Sequence, residues 1–194
     1  MDANRKELKQ FIRPHLTEER FQHTVRVTDT AHHLADIFGG DAHKIEVAGM
    51  LHDYAKYRPY EEMRRWIEGS VDVPKDLLNY SPVLWHGPVG VKMLEKEWGA
   101  LDKDVQSAIA SHTTGNAIMS IYDKLIFLAD YIEPGRDFPG VQEARRLAEV
   151  DLDKACLFAL DNTIRYLMSK QQTVYPGTFH AYNLLQKKQE EENG

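Results

Sequence analysis

An imidazole and a carboxylate stand side by side at His52 and Asp53, at the end of an apolar stretch, and the ammonium group of Lys56 follows one helical turn later. Such groups are costly to bury unless they find partners. A His-Asp pair is expected about once by chance in a chain of this composition, so its significance depends on the residues that could join it.

Four further residues with ligand chemistry are expected at helix ends or on inward helix faces: His23, His86, His112 and Asp130. Imidazole and carboxylate suit a borderline divalent metal such as iron, manganese, cobalt or zinc, whereas the lack of clustered cysteines argues against a structural zinc or an iron–sulfur cluster. One catalytic metal uses about three or four protein ligands. The surplus therefore predicts two metals that share Asp53 as a bridging carboxylate.

Helices are expected to position these residues. Apolar side chains recur at helical spacing along most of the chain, and no segment alternates cleanly enough for a strand. The pattern predicts an all-α fold, one compact helical bundle of about eight to ten helices in a single domain over residues 1–194. The predicted helices cover residues 3–12, 17–38, 42–54, 61–68, 89–98, 103–111, 120–132, 141–149, 152–171 and 177–190, with short helices after 72 and 81 and a fraying tail at 187–194.

These predicted helices bring several candidates to helix ends. The helix over 42–54 is apolar on most sides, which predicts a central position with His52 and Asp53 at its inner end. His112 closes the helix over 103–111, and Asp123 and Asp130 share one face of the helix over 120–132. The charged and aromatic stretch 56–75 is consistent with a lid and equally with a solvated connector.

The order and type of these residues resemble the HD-domain superfamily of metal-dependent phosphohydrolases, with His52-Asp53 and Lys56 reading as HDxxK. Within it, the chain is similar to the YqeK-like family of bacterial symmetrical diadenosine tetraphosphate hydrolases. The resemblance covers about residues 17–170. The segments that carry it are HTVRV at 23–27, LHDYAK at 51–56, HGPVG at 86–90, HTTG at 112–115 and DKLIFLADYIEPGR at 123–136.

The resemblance implies a ligand set and a reaction. The first metal would be held by His23, His52, Asp53 and Asp130, and the second by Asp53, His86 and His112. It implies two divalent ions per chain, iron before manganese, cobalt or zinc, and hydrolysis of diadenosine tetraphosphate and related dinucleoside polyphosphates to two ADP. Two such cations can acidify a bridging water to hydroxide and draw charge from phosphoryl oxygens, so no protein nucleophile is required.

The candidates for catalysis are Asp53, as the shared carboxylate, and Lys56, as a cation for a phosphate oxygen or the leaving group. The candidates for substrate binding are Arg26, Lys56, Thr113 and Arg136. A guanidinium fork matches phosphate oxygens. Taken alone, Lys56 would be a solvated charge and Arg136 a partner in a surface salt bridge. Asp123 is about equally consistent with orienting a ligand histidine and with capping its helix.

The composition limits the partners. With 24 basic and 30 acidic residues and a net charge of -6, the chain has no basic field for polymeric nucleic acid or an anionic membrane. A small nucleotide remains a suitable partner, because a metal can bind an anion on an acidic protein. The single cysteine, Cys156, and the lack of an apolar run near 18 residues predict a soluble, cytoplasmic protein. A homodimer is left open.

Two alternative functions stay open at this stage. The HD skeleton also suits hydrolysis of another small nucleotide, such as a nucleoside monophosphate, a deoxynucleoside triphosphate, a cyclic dinucleotide or a guanosine polyphosphate. A nucleotide sensor that keeps its metal for folding is disfavoured, because a structural site has no use for surplus ligands. The three tryptophans are expected in the core rather than as stacking platforms for a base.

Overall fold

Ten α-helices form the part of the chain that this computed structural model describes, residues 3–194 with the side chain of residue 193 excepted. They are α1 (Arg5–Ile12), α2 (Glu18–Phe38), α3 (Ala42–Leu51), α4 (Tyr60–Gly69), α5 (His86–Glu97), α6 (Lys103–Ser111), α7 (Ile121–Ile132), α8 (Val141–Ala148), α9 (Leu152–Ser169) and α10 (Pro176–Asn193). Short 3₁₀ turns cover Arg13–His15, Lys75–Asn79 and Pro82–Leu84. The all-α prediction is confirmed, since these residues contain no strand.

Some helix bounds differ from the predicted ones. Helix α5 begins at His86 and not at residue 89, because Pro88 in the first turn gives up an N–H that would have no helical partner there. Helix α3 ends at Leu51, three residues early. Helix α10 continues to residue 193, and the pairs Lys187–Glu191 and Lys188–Glu192 lie at 3.8 and 3.7 Å along the tail that was expected to fray.

Helix α3 lies at the centre of the fold, in contact with α1, α2, α6 and α7. Its sequence explains this position, because its last five residues, Val47–Leu51, are all buried and leave no polar face to turn towards solvent. Among the described residues, no helix is both long and apolar enough to cross a lipid bilayer.

The crossing of α2 and α3 depends on Gly49. A Cβ atom at Gly49 would lie 2.8 Å from the hydroxyl of Thr28 and 3.0 Å from its Cα atom. Thr28 is itself fixed, because its hydroxyl donates to the carbonyl of Thr24 at 2.8 Å. The absence of a side chain therefore lets the two helices approach closely, which brings the end of α3 beside α2.

We expect Gly49→Ala to lower the free energy of unfolding by about 2 kcal/mol. Overpacking costs roughly 1–3 kcal/mol, and a clash with a backbone atom belongs at the upper end, while the better helix propensity of alanine returns about 1 kcal/mol. Urea denaturation measures the difference. Gly69→Ala is the matched control, since a Cβ atom there meets nothing within 4 Å. Equal midpoints for the two variants would contradict the close approach.

Candidate metal centre

Five helices deliver the six predicted ligands to one buried point. His52 and His112 directly follow the last residues of α3 and α6, and His86 is the first residue of α5. His23 lies in the second turn of α2, Asp53 follows His52, and Asp130 lies in the last turn of α7. Every ligand position expected from the sequence therefore reaches the same site.

The carboxylate of Asp53 lies at the middle of this group, and only 1% of the residue is exposed. Its Oδ2 atom is 3.1 Å from Nε2 of His52 and 3.7 Å from Nε2 of His23. Its Oδ1 atom is 3.2 Å from Nε2 of His86 and 3.9 Å from Nε2 of His112. Each oxygen thus faces a different pair of imidazoles, which is the arrangement that a bridging carboxylate requires.

Asp130 completes one half of the site. Its Oδ1 atom lies 3.0 Å from Nε2 of His23. The ligand atoms of His23, His52 and Asp130 lie within 4.8 Å of one another, and those of His52, Asp53 and His112 form a second such group. Each of these two groups could hold a metal ion, and they share His52.

Backbone carbonyls orient three of the four imidazoles. His52, His86 and His112 each contact, through Nδ1, the carbonyl oxygen three residues earlier, at 2.7, 2.6 and 2.7 Å. A carbonyl oxygen only accepts, so each Nδ1 carries the hydrogen and donates it. When such a ring is neutral, it presents the lone pair of Nε2 to the centre, which is the form that binds a metal.

Glu133 orients the fourth imidazole. Its Oε1 atom accepts from Nδ1 of His23 at 3.0 Å, and its Oε2 atom accepts from Nε of Arg26 and the backbone N–H of Gly135, both at 2.6 Å. Burial raises the pKa of this carboxyl, but the hydrogen bonds from Arg26 and His23 outweigh burial and lower it to about 2. Glu133 is therefore ionised, and it orients the ring of His23 as carboxylates orient metal-binding histidines in other proteins.

The chemistry of the donor set fits divalent cations. Nε2 of His23, Nε2 of His52 and both oxygens of Asp53 are buried without a hydrogen-bond partner among the described residues. Nε2 of His86 and Nε2 of His112 lie 3.0 Å apart, so two neutral rings would direct their lone pairs at each other. Burial, together with the neighbouring imidazoles of His86 and His52, lowers the pKa of His112 to about 3 and keeps its ring neutral. A cation between these atoms would satisfy them.

Three cationic side chains surround the ligands. Nζ of Lys56 lies 3.5 Å from Nε2 of His86 and 3.9 Å from Oδ1 of Asp53. Nη2 of Arg136 binds Oδ1 of Asp130 at 2.5 Å, and Nε of Arg20 lies 2.8 Å from Oδ2 of Asp53. Burial lowers the pKa of Lys56, and the charges of Arg20 and Arg136 add to that effect. The three cations thus meet at the same site, where an anionic substrate would find them.

The other candidates for substrate contact differ in placement. Oγ1 of Thr113 lies 3.0 Å from Nε2 of His112, so Thr113 is at the site. Arg26 is at the rim, where Glu133 engages both Nε and Nη2 of its guanidinium group, at 2.6 and 3.4 Å. Asp123 caps α7 by accepting from the backbone N–H of Ser120 at 2.7 Å, which is the second of its two expected roles.

Sequence reasoning missed Arg20 and Glu133. Arg20 precedes His23 by three residues on α2, and Glu133 follows Asp130 by three residues at the end of α7. Residues three apart share a helix face, so the spacing could have identified both. The signal is weak alone, because any charged residue near a ligand satisfies it.

A family model for the HD domain matches residues 20–135, which include all six predicted ligands. The chain belongs to the HD-domain family. This HD-domain chain is 47% identical over 182 residues to the symmetrical bis(5'-nucleosyl)-tetraphosphatase of Bacillus subtilis, with 94% of this chain and 97% of the relative covered. A relative with the same name from Halalkalibacterium halodurans has the same identity and coverage.

A solved structure shares the whole architecture of this HD-domain chain. The crystal structure of an HD superfamily hydrolase from Clostridium acetobutylicum, described as involved in NAD metabolism, superposes with a TM-score of 0.88 at 38% identity. The match covers 97% of this chain and 100% of the other. These comparisons confirm the family resemblance that the sequence motifs suggested.

We expect Glu133→Ala to weaken the binding of a divalent metal by about 10- to 100-fold, the usual effect of removing the partner behind a ligating histidine. Titration of metal-stripped protein with manganese in competition with a fluorescent chelator measures this affinity. Glu133→Gln should lose less, because its amide oxygen can still accept from His23. Glu143→Ala removes a carboxylate that pairs with Arg146 on the surface and serves as the control. The idea fails if Glu133→Ala binds metal as tightly as the control does.

Proposed function

We propose that this chain hydrolyses diadenosine tetraphosphate, and related dinucleoside polyphosphates, symmetrically, so that one water and one tetraphosphate yield two ADP. The observation that carries the proposal is the near full-length similarity to the two symmetrical tetraphosphatases, and two buried groups of histidine and aspartate that could hold a metal ion support it. The matched length covers the helices around the site as well as the segments that carry the predicted ligands.

We further propose two divalent cations at the centre, with Asp53 between them. The support for this assignment is the geometry of Asp53, whose two oxygens face separate pairs of imidazoles. His23, His52 and Asp130 would hold one ion with Asp53, and His86 and His112 the other. Bound cations would supply acidification of a water and withdrawal of charge from phosphoryl oxygens.

The side chains of the protein itself would bind and orient the polyphosphate. Lys56 and Arg136 are proposed to contact phosphate oxygens, because both lie beside ligand atoms and carry charge. Arg20 joins them as a third cation at the centre. Thr113 would add a hydroxyl beside His112. Arg26 is proposed as an outer contact, through the part of its guanidinium group that Glu133 does not engage.

Two finer assignments stay predictions, iron as the metal in the cell and a cytoplasmic location, and a homodimer stays open. The buried thiol of Cys156 is consistent with a reducing compartment, because it has no second cysteine to pair with. Imidazole and carboxylate ligands accept iron(II) as well as manganese, cobalt or zinc.

We expect diadenosine tetraphosphate to give ADP as the sole nucleotide product when the protein is purified without oxygen and loaded with iron(II). Chromatography of the products after partial and complete turnover measures this. A panel of nucleoside monophosphates, deoxynucleoside triphosphates, cyclic dinucleotides and guanosine polyphosphates separates this activity from other reactions of HD-domain enzymes. AMP together with ATP would indicate asymmetric cleavage and contradict the proposal. If the protein hydrolyses only a compound of this panel, the site acts on a different substrate from the one proposed.

We expect His112→Ala to bind one metal per chain where the wild type binds two, and to lose more activity than the roughly 10- to 100-fold that removing a partner behind a ligand costs. Elemental analysis of anaerobically purified protein measures the metal content. His33→Ala is the matched control, because His33 pairs with Glu149 on the surface at 3.0 Å. Two metals and full activity in His112→Ala would refute the ligand assignment.

A further inference from the structure

A cavity of about 190 Å³ opens directly beside the metal centre. It shares His112 and Asp130 with the centre, so a ligand could occupy the cavity and reach the metal ligands at once. The other residues that line it are Thr113, Phe127, Tyr131, Arg136, Phe138 and Thr163. Three of these six are aromatic, which distinguishes the cavity from the charged centre next to it.

The aromatic walls come from two segments. Tyr131 belongs to the last turn of α7, and Phe138 to the loop that follows it. Their rings meet edge to face, with centroids 4.9 Å apart and planes at 77°. Both residues are only partly buried, whereas Phe127 is 5% exposed. Tyr131 and Phe138 therefore keep ring surface available to a ligand.

Asn162 on α9 holds these walls in place. Its Nδ2 atom donates to the hydroxyl of Tyr131 at 2.5 Å and to the carbonyl of Pro139 at 3.1 Å. One side chain thus fixes both the tyrosine ring and the loop beside Phe138. A stacking surface that is held before the ligand arrives loses less entropy on binding.

The charges next to the cavity suit the rest of a nucleotide. Arg136 lines the cavity and binds Asp130, so its cationic group stands between the aromatic walls and the metal ligands. A ligand with a flat ring at one end and phosphates at the other would place the ring on the aromatic walls and the phosphates towards Arg136 and the centre. Nucleotides have this arrangement, with a flat base at one end and phosphates at the other.

The tryptophans offer no alternative platform at this site. Trp85 is 2% exposed and donates its indole N–H to the carbonyl of Leu77 at 2.8 Å. Trp98 packs against Phe11, with ring centroids 4.3 Å apart, and Trp66 packs against the hydrophobic core. The expectation that the tryptophans serve packing agrees with these positions, and the stacking residues must be sought elsewhere.

We propose that the cavity beside His112 and Asp130 binds one nucleobase of the substrate, with Tyr131 and Phe138 as the stacking surfaces and Asn162 as the residue that positions them. This inference rests on the proposed function, since it assigns one half of a dinucleoside polyphosphate to the cavity. It adds determinants of specificity that the ligand set does not contain, and two of them, Phe138 and Asn162, lie outside the family motifs.

The test uses metal-loaded protein and ADP as the probe, with the dissociation constant measured by calorimetry. Stacking on an aromatic side chain predicts that Phe138→Ala and Phe138→Leu both weaken ADP binding by about 5- to 150-fold, while Phe138→Tyr binds like the wild type. If Phe138 serves only to pack its loop, Phe138→Leu should bind like the wild type instead. Phe179→Ala, at a partly exposed ring on α10, is the control.

Metal content and the thermal midpoint of each variant show whether the centre and the fold are retained. The KM for diadenosine tetraphosphate should rise in Phe138→Leu along with the ADP dissociation constant. Equal ADP affinity in the wild type, Phe138→Leu and Phe138→Ala would overturn the nucleobase site. If the wild type turns over diadenosine tetraphosphate but the series is flat, only this inference fails. If ADP affinity depends on an aromatic ring at position 138 but diadenosine tetraphosphate is not hydrolysed, the proposed function fails and the nucleotide site stands.

Discussion

The structure depends on a single buried carboxylate. Asp53 is enclosed by four imidazoles and two cationic side chains, and the charges of Arg20 and Lys56 offset part of the cost of burying it. Burial alone would raise its pKa, but His52 and His86 outweigh burial and hold the pKa of Asp53 well below its usual range. No element that carries one of these partners can move away without leaving Asp53 uncompensated.

This constraint accounts for the way the helices meet. The ends of α3, α6 and α7, the start of α5 and the second turn of α2 converge on one point. Helix α3 can lie at the centre because its last five residues are all buried and because Gly49 lets α2 approach it. The packing of the core and the assembly of the site are therefore produced by the same contacts.

Much of this site was predictable from residue types. The histidines and aspartates expected to act as ligands do converge, because their positions at helix ends follow from caps and apolar periodicity. Spacing could place Glu133 on the same helix face as Asp130, but it could not pair Glu133 with His23, since these two residues are 110 positions apart and meet only when α2 packs on α7. Tyr131, Phe138 and Asn162 were missed for the same reason: their relation is tertiary. Helix α5 starts three residues before the predicted start, because Pro88 fits within its first turn.

The hydrogen bonds that orient the imidazoles also end helices. The carbonyls of Gly49 and Ile109 lie in the last turns of α3 and α6, where no helical N–H remains to bind them, and the rings of His52 and His112 bind them instead. The orientation of each of these two rings is thereby fixed relative to the end of its own helix. Adding one residue within such a helix would turn everything beyond it by about 100°. A residue added to the loop at the opposite end of such a helix would leave this hydrogen bond intact.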